Sequence, residues 1–319
     1  MIYLTFENPQ YLWYLLSVPL LIVSHYAFLK YNKKKAMRFA NFEALKKVTN
    51  QSVMTKNNSI LLIRMIILFS LILAIAETTL WYEGYTNEND FVIVIDTSSS
   101  MTAQDLKPNR LEAAKEYSLK FIDKIPQDSH VGLVTFSGAS FIEKVPTNTK
   151  SIIKKSVENV DFAHVGGTNI ADAIVTSTNL LLPSQKGRTI ILLTDGSNTA
   201  SYFIRDPIVE GIKYAQNNNV KVYTIGIGSN TGPIGYLPEY YNVSAVYDEN
   251  TLLKIANETG GSYYDAKNNE QLQLAFEEIF KASNQAYIGI KLGPGLMILA
   301  LALIFLEWGL ISTRFRALP

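Results

Sequence analysis

Three long apolar segments dominate the pattern of hydrophobic and polar positions along the chain. They cover Tyr11–Leu29, Ile60–Ala76 and about Ile288–Ile311. Each comes near the ~20 residues that a helix needs to cross a hydrocarbon core about 30 Å thick. We therefore predict three transmembrane helices, with a buried core helix as the alternative for the outer two segments.

Short apolar strands alternate with amphipathic helices between the second and third apolar segments. The predicted strands are Phe91–Asp96, His130–Ser137, Ser140–Thr147, Arg188–Asp195, Val220–Gly228 and a short one in "GSYYDA". The predicted helices are Asn109–Lys124, Lys150–Val160, one from Asn169 onwards, Pro207–Asn217, Glu249–Thr259 and Asn269–Ala282. This alternation is typical of an α/β fold with a doubly wound, mostly parallel sheet. Strand Ser140–Thr147 follows a tight Gly138-Ala139 hairpin, so we expect one antiparallel edge strand.

The distribution of basic residues predicts the orientation in the membrane. Between the first two apolar segments, the single acid Glu43 is outnumbered by Lys30, Lys33, Lys34, Lys35, Arg38, Lys46, Lys47 and Lys56. Arg314 and Arg316 follow the third segment, whereas no Lys or Arg precedes the first. Because basic loops stay on the cytoplasmic side, we expect the region from about Tyr82 to Ala286 to lie outside the plasma (inner) membrane.

These patterns divide the chain into six parts. They are an outer N-terminus with the first membrane helix (1–29), a basic cytoplasmic loop (30–58), a second membrane helix (59–82), an extracytoplasmic domain (88–284), a third membrane helix (287–311) and a cytoplasmic tail (312–319). The basic loop mixes apolar residues with lysines. It is either a short helix on anionic lipid or a plain topology signal.

Ionisable residues inside the apolar segments are expected to find partners. Arg64 and Glu307 sit at similar depth from the cytoplasmic side, so we predict that they pair, with His25 nearby. Glu77 and Lys291 are predicted to pair at the outer face. The alternative is that each side chain reaches its own interface alone.

Composition narrows the function classes. The 319 residues include no cysteine and three histidines, and the formal net charge is +1. Disulfide scaffolds and thiolate metal sites are therefore excluded, and a zinc site with several histidines is disfavoured. The near-neutral charge gives no support for nucleic-acid binding.

The strand "FVIVID" ends in a carboxylate, and hydroxyls follow it at alternate positions. A loop that curls after this strand can aim Asp96, Ser98 and Ser100 at one point, and the glycines before Thr168 let a second loop approach. Asp195 ends another strand, and parallel strands share one carboxyl edge, where ligands of such folds bind. The five side chains therefore predict a metal site built from oxygen atoms.

Hard oxygen ligands indicate which metal this site would hold. Two carboxylates balance a divalent cation, and the neutral hydroxyls coordinate it without adding charge. This set suits Mg²⁺ in a near-octahedral arrangement, with Mn²⁺ or Ca²⁺ as alternatives. Positions left to water could accept one carboxylate from a partner protein.

These residues carry a family resemblance. Asp96-x-Ser98-x-Ser100, Thr168 in "GGTN" and Asp195 in "LLTDG" resemble the metal-ion-dependent adhesion site of von Willebrand factor A (VWA) domains, which have a Rossmann-like fold. The two N-terminal membrane helices, "DLKPNRLEAAK", "TGGSYYDA" and the closing membrane helix are similar to the Bat-type aerotolerance proteins of the MoxR-associated group.

The resemblance carries functional implications of its own. In the family the first three oxygens bind the metal directly, whereas the Thr and the second Asp act directly or through water. It also implies protein binding, a role in envelope stress, other VWA membrane proteins as partners and cooperation with a cytoplasmic MoxR-type AAA+ ATPase.

Other functions stay open from the sequence. A structural subunit of a membrane complex could use the metal only to staple loops, and a metal-dependent hydrolase is a third hypothesis. Aspartyl-phosphate chemistry usually employs a second acid two residues after the first, where this chain has Ser98. A Ser-His-Asp hydrolase would need a G-x-S-x-G elbow, which the sequence lacks. We therefore expect a binding protein and not an enzyme.

Overall fold

The computed structural model describes residues 2–39, 53–86, 89–163, 167–196, 207–228 and 248–312. Within these ranges the chain forms two compact units, Tyr82–Ile288 and Met1–Trp81 with Gly289–Pro319. Part of the predicted basic loop (40–52) and nearly all of the predicted cytoplasmic tail (313–319) lie outside the described residues.

Strands and helices alternate through the larger unit, and the elements of both units are given together. In chain order they are β1 (Ile2–Phe6), α1 (Ser17–Phe39), α2 (Val53–Ile75), β2 (Thr78–Tyr85), β3 (Asn89–Asp96), α3 (Arg110–Lys124), β4 (Val131–Phe136), β5 (Ser140–Thr147), α4 (Lys150–Glu158), α5 (Ile170–Leu181), β6 (Gly187–Thr194), α6 (Pro207–Asn217), β7 (Val220–Ile227), α7 (Glu249–Thr259), β8 (Tyr263–Ala266), α8 (Asn269–Ala282), β9 (Gln285–Lys291) and α9 (Gly293–Ser312). Turns of 3₁₀ helix cover Pro9–Leu16 and Ser99–Thr102.

A six-stranded sheet organises the larger unit, in the order β5-β4-β3-β6-β7-β8. All neighbouring strands run parallel except β5, which pairs antiparallel with β4. The predicted mostly parallel sheet with one antiparallel edge strand is thus confirmed. Because the chain passes from β3 to β4 on one side and later returns to β6 on the other, the carboxyl ends of β3 and β6 flank the switch point.

Helices cover both faces of this sheet, as a doubly wound fold requires. On β3, Phe91, Ile93 and Ile95 belong to an apolar cluster with residues of α3, α4 and α8. Val92 and Val94 belong to a second cluster with residues of α5, α6 and α7. Because both faces are buried, β3 is a continuous apolar run with no polar alternation.

The smaller unit contains the three predicted apolar spans. Helices long and apolar enough to cross a membrane cover Pro9–Phe28, Asn58–Ile75 and Gly293–Ser312. Their boundaries differ from the sequence expectation at three points. The first helix runs on to Phe39, the second ends at Ile75 and not at 82, and the third begins at Gly293 and not at 287.

The shortened helices give way to strands of a second, three-stranded sheet of order β1-β2-β9, which the sequence reasoning missed. Helix α2 ends where Glu77 takes a positive φ of 51°, and β2 starts at the next residue. Trp81, in β2, is 5% exposed and donates its indole N–H to Thr5 Oγ1 at 2.9 Å.

The two predicted ion pairs of the smaller unit have different outcomes. Arg64 Nε lies 2.6 Å from Glu307 Oε1, which confirms the first pair. The His25 ring lies edge-on against Tyr26, and no hydrogen-bond partner for its Nε2 lies within the described ranges, so its proximity to this pair stays a prediction.

In the described part of the chain no ion pair within 4 Å joins Glu77 to Lys291, although the two charges attract. Lys291 Nζ lies 3.3 Å from Glu7 Oε1, because β1 brings a second carboxylate to the outer face. The hydrogen bond that Glu77 shares with Glu7, together with the charge of Glu7, raises the pKa of Glu77.

Candidate metal centre

Asp96 is the last residue of β3 and is fully buried. Its Oδ1 accepts a hydrogen bond from the Ser98 backbone N–H at 2.8 Å, and its Oδ2 accepts one from Thr194 Oγ1 at 2.6 Å. The Thr97 N–H donates to the Phe136 carbonyl, which fastens the loop to the end of β4. The carboxylate is therefore held in one orientation at the switch point.

Ser98 and Ser100 follow on a turn of 3₁₀ helix, and their hydroxyl oxygens lie 3.0 Å apart. Two adjacent ligands of an octahedral ion with bonds of about 2.1 Å are separated by about 3.0 Å. The two hydroxyls share a hydrogen bond, and their separation also equals that of neighbouring ligands around Mg²⁺.

Thr168 lies at the end of the second predicted loop, two residues before α5 begins. It is 2% exposed and follows Gly167, whose φ of 94° is readily available only to glycine. The Asn169 N–H donates to the Ser137 carbonyl, and the Asn169 side chain caps α5 by accepting from the Asp172 N–H. The Thr168 and Asp96 loops thus both attach to the end of β4. Gly166, the other glycine of the predicted loop, lies outside the described residues.

Asp195 directly follows β6 and is fully buried. Its Oδ2 lies 3.4 Å from Arg110 Nη1, and its backbone carbonyl accepts from the Asp248 N–H at 3.1 Å. The next residue, Gly196, has a φ of 80°, and a Cβ there would meet the Asp248 carbonyl. Asp195 is therefore fixed between β6 and the start of α7.

The two buried carboxylates lie close enough at this edge for their charges to repel each other. Burial, and then the charge of Asp195, raise the pKa of Asp96 to about 7. Hydrogen bonds from Ser98 and Thr194 oppose this shift. A divalent cation would remove the repulsion between the two carboxylates and allow both to stay ionised.

The donor set fits a hard divalent cation that is bound partly by hydroxyls. No three His, Asp or Glu side chains in the described part of the chain are grouped so that they could hold a metal ion. A site here would therefore combine the carboxylates of Asp96 and Asp195 with neutral hydroxyls, as the sequence predicts. Such a set suits Mg²⁺, Mn²⁺ or Ca²⁺ better than zinc.

Sequence reasoning missed two residues that support this site, Thr194 and Arg110. Thr194 is the residue before Asp195 in "LLTDG", and its hydroxyl holds Asp96. Arg110 is fully buried at the first position of α3. A cation is unfavourable at a helix N-terminus, so an arginine at the predicted start of a helix is a sequence signal for acidic residues nearby.

Comparison with known sequences matches both parts of this architecture. The sequence model of the von Willebrand factor type A domain matches residues 90–279. The model named aerotolerance regulator N-terminal matches residues 1–77. The chain belongs to the VWA proteins of the Bat aerotolerance family. This membership, together with the three apolar helices, makes it a membrane-associated VWA protein.

Relatives of this VWA protein extend over most of its length. An uncharacterized protein of Borreliella burgdorferi is 30% identical over 301 residues, covering 88% of this chain and 85% of its own. A UPF0353 protein of Nocardia farcinica is 26% identical over 282 residues, covering 83% and 84%.

Solved structures of a Bat protein and of an aerotolerance-related membrane protein align with this chain. The conserved hypothetical protein BatB of Bacteroides thetaiotaomicron aligns with a TM-score of 0.53 at 27% identity, covering 61% of this chain and 98% of that one. An aerotolerance-related membrane protein of Bacteroides fragilis aligns with a TM-score of 0.53 at 26% identity, covering 61% and 99%.

Proposed function

We propose that this VWA protein binds partner proteins through a divalent cation, Mg²⁺ in the first place. Asp96, Ser98, Ser100, Thr168 and Asp195 would hold the ion, directly or through water. The ion would supply a Lewis-acidic position for an Asp or Glu side chain of the partner. The proposal rests mainly on one observation, two buried carboxylates beside two hydroxyls spaced 3.0 Å apart.

The electrostatics favour a binding role for the site. Asp96 and Asp195 are held by hydrogen bonds in fixed orientations, so this chain's residues would position the ion without moving. The ion would neutralise the charges of both carboxylates. A carboxylate of a partner could then bind the ion, whereas without the ion Asp96 and Asp195 would repel it.

Binding is a better account than hydrolysis. His130 lies at the opposite end of β4 and pairs with Asp90 at 3.0 Å, and His164, four residues before Thr168, lies outside the described residues. A hydrolase needs a general base within hydrogen-bond reach of its reacting water. The carboxylates of Asp96 and Asp195 are the described side chains at the site that could act as such a base, and both would be bound to the cation. We therefore propose a non-enzymatic function.

The cellular setting is part of the proposal. The positive charge between the first two helices supports an extracytoplasmic VWA domain and a cytoplasmic basic loop in the plasma membrane. Family membership supports envelope stress tolerance or complex assembly as the process. Candidate partners are other VWA membrane proteins, anionic lipid at the basic loop, and a MoxR-type AAA+ ATPase on the cytoplasmic side.

Crosslinking in native membranes, followed by mass spectrometry, tests the proposal. We expect crosslinks to the partner to disappear with EDTA, to return with Mg²⁺, and to be absent in Asp195→Asn. The matched control Ser156→Ala removes a hydroxyl on the exposed surface of α4 and should keep every crosslink.

Thermal melting of the same samples separates binding from a purely structural metal. If EDTA leaves the domain folded while the partner is lost, the metal serves binding. If EDTA unfolds the domain, the metal has a structural role and holds loops of the fold together. Crosslinks that survive both EDTA and Asp195→Asn would refute the metal-dependent contact.

A further inference from the structure

Arg110 is a fully buried cation that contacts one proposed metal ligand. Its Nε and Nη2 donate to the two carboxylate oxygens of Asp105, at 2.8 and 2.6 Å. Its Nη1 lies 3.4 Å from Oδ2 of Asp195. The guanidinium is thus shared between a close bidentate partner, Asp105, and a looser one, Asp195.

The fold creates a specific place for this guanidinium. Gly228, just after β7, has a φ of 118°, and a Cβ added there would overlap the guanidinium of Arg110. The backbone of Arg110 is fixed as well, because its N–H donates to the Ala103 carbonyl and Asn109 caps the helix. Asp105 in turn accepts from the Leu106 N–H. Arg110 therefore cannot move away from Asp195 without rearranging three segments.

A cation at this place must weaken the attraction of the site for a metal ion. It repels a second cation nearby, and it occupies lone pairs of Oδ2 of Asp195 that would otherwise turn to the metal. Asp105 moderates this effect, because it takes the two shorter hydrogen bonds of the guanidinium. The chain Asp105–Arg110–Asp195 can therefore set how strongly Asp195 binds.

We propose that Arg110 is a positioning residue that restrains Asp195 and so limits the affinity of the site for a divalent cation. This inference rests on the proposed function, since it assumes that Asp195 is a metal ligand. Its consequence for that function is direct. A metal that is less fully neutralised by Asp195 keeps more positive charge for the carboxylate of a partner.

Mn²⁺ binding to the full-length chain in detergent micelles tests the proposal, with free Mn²⁺ measured by electron paramagnetic resonance. Arg110→Gln should bind Mn²⁺ about tenfold more tightly than the wild type, because a positive charge near the ion is gone. Asp105→Asn should bind it more weakly, because Arg110 loses its close bidentate partner and its charge then acts more strongly on Asp195. Arg110→Lys keeps the charge and should bind Mn²⁺ nearly as the wild type does.

The expected changes in Mn²⁺ affinity have opposite signs in Arg110→Gln and Asp105→Asn, which distinguishes this role from a structural one. If Arg110 only supports the fold, both Arg110→Gln and Asp105→Asn weaken Mn²⁺ binding, and this result overturns the proposal. Thermal melts check that each variant is folded. If Arg110→Gln does not fold, Arg110→Met takes its place, again with tighter Mn²⁺ binding expected, and weaker or unchanged binding overturns the proposal. A wild type that binds no Mn²⁺ would instead refute the metal site itself.

Discussion

At the scale of single residues, the site depends on Asp96 being ionised in a place that disfavours its charge. The pKa of Asp96 is raised to about 7, first by burial and then by Asp195. A carboxyl whose pKa is higher in the folded than in the unfolded state stabilises the fold at low pH. This contribution is complete below about pH 4, the ordinary value for aspartate, and is lost as the pH rises through about 7.

We therefore predict that the metal-free protein loses stability between about pH 4 and pH 7, and that Mg²⁺ restores more of it at pH 8 than at pH 5. Thermal melts with EDTA and with Mg²⁺ across this range measure the effect, because each kcal/mol of unfolding free energy shifts the melting temperature by about 2–4 °C. Asp96→Asn removes the titrating group and should make the EDTA series less dependent on pH. A gain from Mg²⁺ that is equal at all pH values would contradict the prediction.

Thr168 tests the neutral part of the donor set. It is 2% exposed, and its alanine variant removes one hydroxyl and one methyl group without adding charge. We predict that Thr168→Ala lowers the affinity for Mn²⁺ by about 10–100-fold, the usual scale for a residue that supports a metal. The domain should stay folded by circular dichroism. Ser156→Ala is the matched control, and equal affinities in the two variants would argue against Thr168 as a ligand.

The residues of this site differ in how visible they are in the sequence. Asp96, Ser98 and Ser100 stand out in the sequence because these polar positions directly follow a continuous apolar strand. Arg110 does not, because it starts a helix 14 positions after Asp96 and its two acid partners lie in separate segments. Pairings of that kind are set by tertiary packing, which leaves no periodic pattern.

For the secondary-structure elements, the sequence predicts helix boundaries correctly where the capping residues and the hydrophobic periodicity agree. Helices α3 and α5 begin after Asn109 and Asn169, each of which accepts a backbone N–H as an N-cap. The sheet β1-β2-β9 was not predicted, because β2 and β9 directly adjoin apolar helices. A hydrophobic strand of seven or eight residues beside a membrane span adds to the span's apolar run, so its period of two is hidden.

The contact between α2 and α9 gives a prediction at this scale. Arg64 and Glu307 lie 2.6 Å apart, with side chains 45% and 15% exposed. Removing either one leaves a lone charge in a membrane helix, which we expect to cost about 2–3 kcal/mol. Arg64→Leu and Glu307→Leu should therefore each lower the stability measured by denaturation in detergent micelles.

The double variant supplies the control for this ion pair. Arg64→Leu with Glu307→Leu has no unpaired charge, so it should recover most of the stability that either single variant loses. The exchanged pair, Arg64→Glu with Glu307→Arg, should recover part of it as well. Losses that simply add in the double variant would show that the two side chains act independently.

At the scale of the whole molecule, the proposed function requires the VWA domain and the basic loop to face opposite sides of the membrane. Partner binding by the metal site would then occur outside the cell's cytoplasm. An ATPase could engage only the loop or the tail. The orientation is inferred from the eight basic residues between the first two apolar segments, against one acid.

The absence of cysteine makes this orientation directly measurable, because each introduced thiol is the only one in the chain. Lys120 lies on α3 with a 52% exposed side chain, so Lys120→Cys marks the VWA domain. Lys46→Cys and Arg314→Cys mark the predicted loop and tail. We predict that a membrane-impermeant maleimide labels Lys120→Cys in intact spheroplasts, and labels the other two only after the membrane is permeabilised. Full labelling of all three after permeabilisation is the control for reactivity. The reverse pattern, with Lys46→Cys labelled from outside, would place the VWA domain in the cytoplasm and exclude an extracytoplasmic partner for the metal.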